Sequence, residues 1–393
     1  MPIPRLRPFN GPALFSYGFR PFFLFGAFYA GAVLLLWLPM FEGRLGLPTG
    51  LSPTDWHVHE MLYGYIAAIV TGFLLTAIPN WTGRLPLNGL PLIVLFALWV
   101  VGRIAVAFSD MIGWAPAALL DIIFLFVVLA AAGREIVAGE NWRNLRVLAI
   151  VAILALTNVG YHLEAHWRGD AAYSRRLAFS AILLLVMLIG GRIIPSFTRN
   201  WLVKQNPGRL PAPFDRIDAL SIAGGTIALA AWTIFPDAAA TGLLLIAAGL
   251  IHAARLVRWA GDRTGRDPLV LILHVAYAFV PIGFLLTGAA ALSPSVPATA
   301  GFHAWSVGAI GTMTLAVMTR ASRGHTGRTL EAPFSTQVLF AAIIISALLR
   351  ISAALLPDAG QPLLWVAGIA WVAAFWGFCA VYGPMLMRPR LKG

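Results

Sequence analysis

The sequence predicts an all-α protein that crosses a membrane many times, and three observations lead there. Of 393 residues, 59% are hydrophobic and only 11% charged, whereas soluble domains carry about 25% charged residues. Mean hydropathy is +0.81. Apolar runs of about 20 residues, the length that spans a bilayer as a helix, recur from end to end.

Twelve such runs are expected, at 19–39, 59–78, 89–108, 114–132, 145–162, 177–197, 217–235, 242–259, 269–291, 303–319, 336–356 and 363–387. Short polar or Gly/Pro-containing connections separate them, and no soluble domain or long linker interrupts the series. Loop charge then sets orientation. With the N-terminus inside, the outer loops hold only Arg44, Arg168, Arg175 and Arg176, while inner loops carry groups such as Arg134, Arg143 and Arg146, or Arg255, Arg258, Arg263 and Arg266. Both termini are therefore expected to be cytoplasmic. The same bias accounts for the net charge of +12 without a nucleic-acid partner.

Several chemistries are excluded. A single cysteine, Cys379, allows no intramolecular disulfide and no CxxC motif. Walker-A, HExxH, GxSxG and dinucleotide-binding glycine patterns are absent from the sequence.

An internal repeat points to a site. "HEMLYGYIAAIVTGFLLTAIPNWTGR" (59–84) and "HAWSVGAIGTMTLAVMTRASRGHTGR" (303–328) have equal length and share their leading histidine, Gly64/Gly308, Ile66/Ile310 and the closing Thr-Gly-Arg. The next spans align "GRIAVA" with "LRISAA", placing Arg103 against Arg350. A middle copy, "GTIALA", sits halfway, with Thr226 in place of the arginine. One transmembrane domain of three four-helix units is the resulting expectation, at approximately 15–133, 134–260 and 261–393.

Intramembrane arginines cost at least about 2.5–3.5 kcal/mol on insertion scales and need partners. Arg103, Arg192 and Arg350 all lie in apolar runs. His59 and His303 fall at the outer ends of related spans, at a depth similar to Arg103 and Arg350. Two imidazoles with two guanidiniums suit a haem, the imidazoles binding iron and the guanidiniums pairing with propionates. The alternative is that the buried arginines pair with Glu60 or Asp121.

His57 and His59 are about 200° apart around a helix and cannot share one metal from a regular helix. His162 and His166, four apart, lie on one helix face. His57 with His162 and His166 forms the copper candidate. His252 and His274 form a second-site candidate for a metal or haem, with hydrogen bonding inside the bundle as the bland reading. Tyr63 is one turn beyond His59, and Asp121, Asn158 and Tyr161 offer proton carriers.

"WHVHEMLYGYIAAIVTGFLLTAIPNWTG", "GGRIIPSFTRNWL", "LHVAYAFVPIGFLLTG" and "HAWSVGAIGTMTLAVMTRASRGHTGR" resemble the NnrS family, and the resemblance covers essentially the whole chain from "FSYGFRPFFL" onward. It implies a bacterial inner-membrane protein of about twelve spans that contains haem and copper and takes part in nitric-oxide metabolism and nitrosative-stress resistance. The layout is also similar to that of haem-copper oxidases, but their dense histidine cluster on spans six, seven and ten is missing. The resulting expectation is a haem/copper protein that handles nitric oxide or nitrosyl-iron species, with an unidentified electron donor as a further partner. Two other readings stay open: a secondary transporter of a small solute, and a haem-based sensor acting through a partner.

Overall fold

In the computed structural model, the described residues (9–205 and 207–391) form helices and loops, with no strand among them. Eleven helices are long and apolar enough to cross a bilayer: α1 Phe19–Phe41, α2 Pro53–Thr82, α3 Leu90–Ala107, α4 Trp114–Ala138, α5 Trp142–Arg168, α6 Ala172–Leu202, α7 Arg216–Ile234, α8 Ala239–Val257, α9 Pro268–Leu292, α11 Phe334–Leu355 and α12 Pro357–Leu386. The tenth expected span is helical throughout 298–325, here α10. It is less apolar than the others because His303, Ser306, Thr312, Thr314 and four glycines dilute its aliphatic content. The chain is thus a multi-pass membrane protein.

Local signals explain the helix ends that bear on the site. Ser52 caps α2, accepting from the Asp55 amide at 3.1 Å, and Pro53 occupies the first helical position. Gly83 closes α2 and Gly169 closes α5, each in the left-handed conformation (φ 72° and 82°) that a glycine adopts without strain. Asp215 caps α7 and forms a reciprocal capping box with Asp218.

Apolar residues fill both the interior and the lipid-facing surface. Ile104, Leu119, Leu156, Leu220 and Leu243 are each more than half exposed, as lipid contact allows. The buried set includes His59, Glu60, Arg103, Asp121, Asn158, His162, Asp218, His252 and Arg255. Such residues inside a span are costly and mark function.

The chain divides into two compact units. The first comprises residues up to Ala178 with Ser322–Arg328 and the segment from Phe375 onward; the second comprises Phe179–Ala321 and Thr329–Ala374. In the first, α1 packs on α2, α3 on α4, and α4 on α5. In the second, α8 packs on both α7 and α9.

Three spans contain π-helical turns: Glu60–Ile66 in α2, Val186–Gly190 in α6 and Ala304–Gly311 in α10. One falls in each of the three expected four-helix units. His59 and His303 are the residues immediately before the first and third. A π turn loosens the backbone hydrogen-bond ladder, and in a membrane any carbonyl it frees needs a donor. The Trp99 indole donates to the Gly64 carbonyl at 2.9 Å, and Arg255 Nη1 donates to the Met187 carbonyl at 3.1 Å.

Candidate metal centre

The π turn of α2 begins where two adjacent side chains, His59 and Glu60, are both fully buried. His59 Nδ1 donates to Glu60 Oε1 at 2.8 Å. Its Nε2 points the other way, 3.2 Å from Asp121 Oδ2 on α4 and 3.3 Å from His162 Nε2 on α5. His162 Nε2 is 2.9 Å from the same Asp121 oxygen. Three ligand-type atoms from three helices therefore converge on one point, and all three residues are buried.

These spacings fit a metal ion. A four-coordinate ion with bonds of about 2.0–2.1 Å holds its ligand atoms about 3.3 Å apart. The surrounding contacts support the same arrangement. Glu60 orients His59 and fixes its proton on Nδ1, which leaves the Nε2 lone pair for a metal, as carboxylate–histidine–metal chains do. Asn158 Nδ2 donates to Asp121 Oδ2 at 2.8 Å, and its Oδ1 lies 3.2 Å from His59 Nε2. Arg103 Nη1 donates to Glu60 Oε2 at 2.8 Å, while its Nη2 pairs with Asp121 Oδ1. Tyr29 Oη donates to Glu60 Oε2.

The charges can be counted. Glu60 and Asp121 are anionic and Arg103 cationic, so with neutral imidazoles the cluster carries one net negative charge. An uncompensated charge in a buried, membrane-embedded site is strongly unfavourable. One positive charge, either a monovalent metal or a proton shared by the imidazoles and Asp121, balances it.

Close packing maintains these positions. Gly102 lets α3 approach α4: a Cβ there would lie 3.1 Å from the Asp121 Cα. Gly64 makes room for the carboxylate–arginine pair, since a Cβ would lie 2.6 Å from the Tyr29 ring and 3.1 Å from Glu60 Oε2. The rings of Tyr63 and Tyr161 pack on His59 at 5.0 and 5.2 Å. Tyr161 Oη donates to the Asp55 carbonyl at 2.9 Å, and Arg175 stands 3.8 Å from the Asp55 carboxylate.

The residues expected from sequence to form sites have different neighbours from those expected. Arg103 is engaged by Glu60 and Asp121 together, the alternative to propionate pairing. His59 has both ring nitrogens engaged, so an axial bond to a haem iron would displace its contacts with Asp121, Asn158 and His162. His162 joins His59 and Asp121 rather than His57 and His166. His57 stacks on Trp37 at 4.2 Å, and His166 stacks on Trp114 at 4.0 Å and is exposed. Between His162 and His166, one turn apart on α5, the helix passes from buried to exposed positions. Asp121 had been singled out as an arginine partner or proton carrier, not as a ligand; a lone carboxylate in an apolar span was the available signal.

The remaining candidates lie in the second unit. His303 is half-buried, and its Nδ1 donates to the Thr299 carbonyl at 2.7 Å, which leaves Nε2 in the tautomer that binds metals. Arg350 is half-buried and Arg192 exposed. His274 lies 2.8 Å from Thr198 Oγ1, whereas His252 lies 2.9 Å from Tyr277 Oη, so the two histidines have different partners. Arg255, expected in an inner loop, is instead buried in the last turn of α8, where it pairs with Asp218 at 2.8 Å.

Among known proteins, the NnrS family ("NnrS protein") matches residues 13–390. No curated protein matches the chain.

Proposed function

We propose, since this chain belongs to the NnrS family, that its His59–Asp121–His162 centre holds a metal ion at which nitric oxide is bound or turned over. The observation that carries this reading is the convergence of His59 Nε2, His162 Nε2 and Asp121 Oδ2 within 3.3 Å in a buried site. Copper, which the family resemblance implies, suits both the nitrogen-rich donor set and the cluster's charge, because a cuprous ion supplies the one missing positive charge. Three protein ligands leave a position open for a diatomic ligand.

The chain's own residues do the rest. Glu60 and Asn158 orient the ligands, and Arg103 prevents the two carboxylates from repelling each other. The tyrosines and apolar walls exclude water. Tyr161 ties α5 to the start of α2 through its hydrogen bond to the Asp55 carbonyl. Nitric oxide is small and apolar enough to arrive through lipid, so no wide pore is needed. The family resemblance implies a bacterial inner membrane, the arginine bias favours cytoplasmic termini, and reporter fusions at each end test the orientation.

The haem that the resemblance implies is assigned to His303, whose tautomer suits axial ligation, with Arg350 as the cation on the same unit. A competing reading keeps the same cluster without metal. One proton shared among His59, His162 and Asp121 also neutralises it, which is what a proton-coupled transporter would use. Metal analysis of the purified full chain, with infrared spectra under nitric oxide, separates the two. A copper-dependent N–O stretch that is lost in His162→Gln, together with about one copper per chain, supports the centre. A metal-free protein silent toward nitric oxide supports transport.

A further inference from the structure

The second unit contains a buried histidine whose environment nothing above explains. His252 on α8 is fully buried. Its Nδ1 lies 2.9 Å from Tyr277 Oη. That hydroxyl accepts from Arg255 Nη1 at 2.8 Å, and Arg255 Nε donates to Asp218 Oδ1 at 2.8 Å. Phe284 stacks on the ring at 5.5 Å with an interplanar angle of 8°. A carboxylate, a guanidinium, a phenol and an aromatic face thus fix the imidazole from one side.

The other side is open. His252 Nε2 is buried and makes no hydrogen bond. An unmade hydrogen bond on a buried polar atom costs about 1–3 kcal/mol and calls for an explanation. Nε2 faces the backbone of Gly225 on α7, where a Cβ would lie 2.9 Å from it and 3.0 Å from Met187 Sδ. The imidazole nitrogen and the thioether sulfur therefore flank one small space that exists because residue 225 has no side chain. Met187 sits in the π turn of α6, whose backbone Arg255 also anchors.

We propose that His252 Nε2 and Met187 Sδ form a binding site for a soft monovalent metal ion, Cu(I) or its analogue Ag(I). Thioether sulfur selects soft ions over Zn(II), Mg(II) or Ca(II). Both donors are neutral and Asp218 is already balanced by Arg255, so the site offsets no charge and a monovalent ion leaves the smallest unbalanced charge there. When Nδ1–H donates to Tyr277, Nε2 carries the lone pair that binds the ion. The rival explanation is that Nε2–H makes a weak contact with the Ser221 carbonyl.

This site uses none of the residues of the His59 centre, so the two stand or fall separately. The test uses the full chain in detergent, with Cu(I) supplied against a chromophoric chelator and X-ray absorption recorded on the bound copper. In an Asp121→Asn background, which empties the first centre, one Cu(I) equivalent with a sulfur scatterer is expected to remain. Met187→Leu, which conserves volume, should remove the sulfur signal and weaken this binding at least tenfold. Gly225→Ala, which keeps both ligands but fills the space between them, should also abolish it, as should His252→Gln. If copper shows no sulfur neighbour and binds equally to Met187→Leu and Gly225→Ala, the proposal is overturned and His252 is a structural residue of the bundle.

Discussion

His59 and His162 hold their Nε2 atoms 3.3 Å apart with Asp121 Oδ2 touching both. Two imidazole nitrogens at this distance cannot both carry hydrogens, and two bare lone pairs would repel. The contact is satisfied when one nitrogen donates its N–H to the other or when a cation sits between them, and the cluster's net negative charge favours the cation.

Asp121→Asn and Arg103→Gln should differ in their effect on stability. The asparagine removes one anion, leaving Glu60 and Arg103 balanced. The metal of this centre is expected to be lost while the fold keeps its thermal midpoint. The glutamine leaves two buried carboxylates unpaired, and breaking a buried pair from one side costs about 3–5 kcal/mol. Copper content and thermal unfolding in detergent read both. Equal destabilisation by the two variants would refute the charge count.

Gly102→Ala should lower stability by about 1–3 kcal/mol, the usual range for overpacking. The added methyl meets the α4 backbone at Asp121, which cannot swing aside as a flexible side chain would, so metal affinity should fall as well. Gly224→Ala is the control: its Cβ meets nothing within 4 Å. Replacing a helix-interior glycine there is expected to be neutral or stabilising by about 0.5–1 kcal/mol. Paired thermal melts decide.

At the cytoplasmic end expected for α7, exposed Asp215 is held below the ordinary carboxylate range, chiefly by its hydrogen bonds from Arg258 and then by backbone amides at the helix start. A lowered folded-state pKa means that its contribution is fully present above the unfolded carboxylate value. That contribution is lost as pH falls through the lower folded value. Amide exchange in the first turn of α7 should therefore stay slow at neutral pH and accelerate only in strong acid. In Asp215→Ala the same amides should exchange fast at neutral pH, with no acid step.

Much of this was legible in the sequence, for identifiable reasons. Hydropathy marked the spans because lipid imposes length and apolarity on each helix separately. His57 and His59, expected not to share a metal, have different neighbours: one stacks on Trp37 and the other enters the cluster. His162 and His166, expected as a pair, diverge because i and i+4 share a helix face but not a neighbourhood. By the last turn of α5 the interior has given way to surface, and His166 meets Trp114. The role of Asp121 was hidden because a ligand set drawn from α2, α4 and α5 depends on how those helices pack. The π turns after His59 and before Gly191 leave no periodicity signal, since they shift a helix by a single residue.

The haem assignment is separable from the metal centre. His303→Ala should abolish or shift the Soret band of the purified protein, whereas Asp121→Asn should leave it in place. A Soret band indifferent to His303 but lost with Asp121→Asn would move the haem to the first unit.

X-ray absorption at the copper edge of the Met187→Leu protein tests the central claim most directly, because the sulfur-flanked site is then silent. The expected result is one copper per chain with two imidazole nitrogens and one carboxylate oxygen at about 2.0–2.1 Å, reduced to background by His162→Gln. A copper shell without imidazole scattering, or copper content unchanged by His162→Gln, would contradict it.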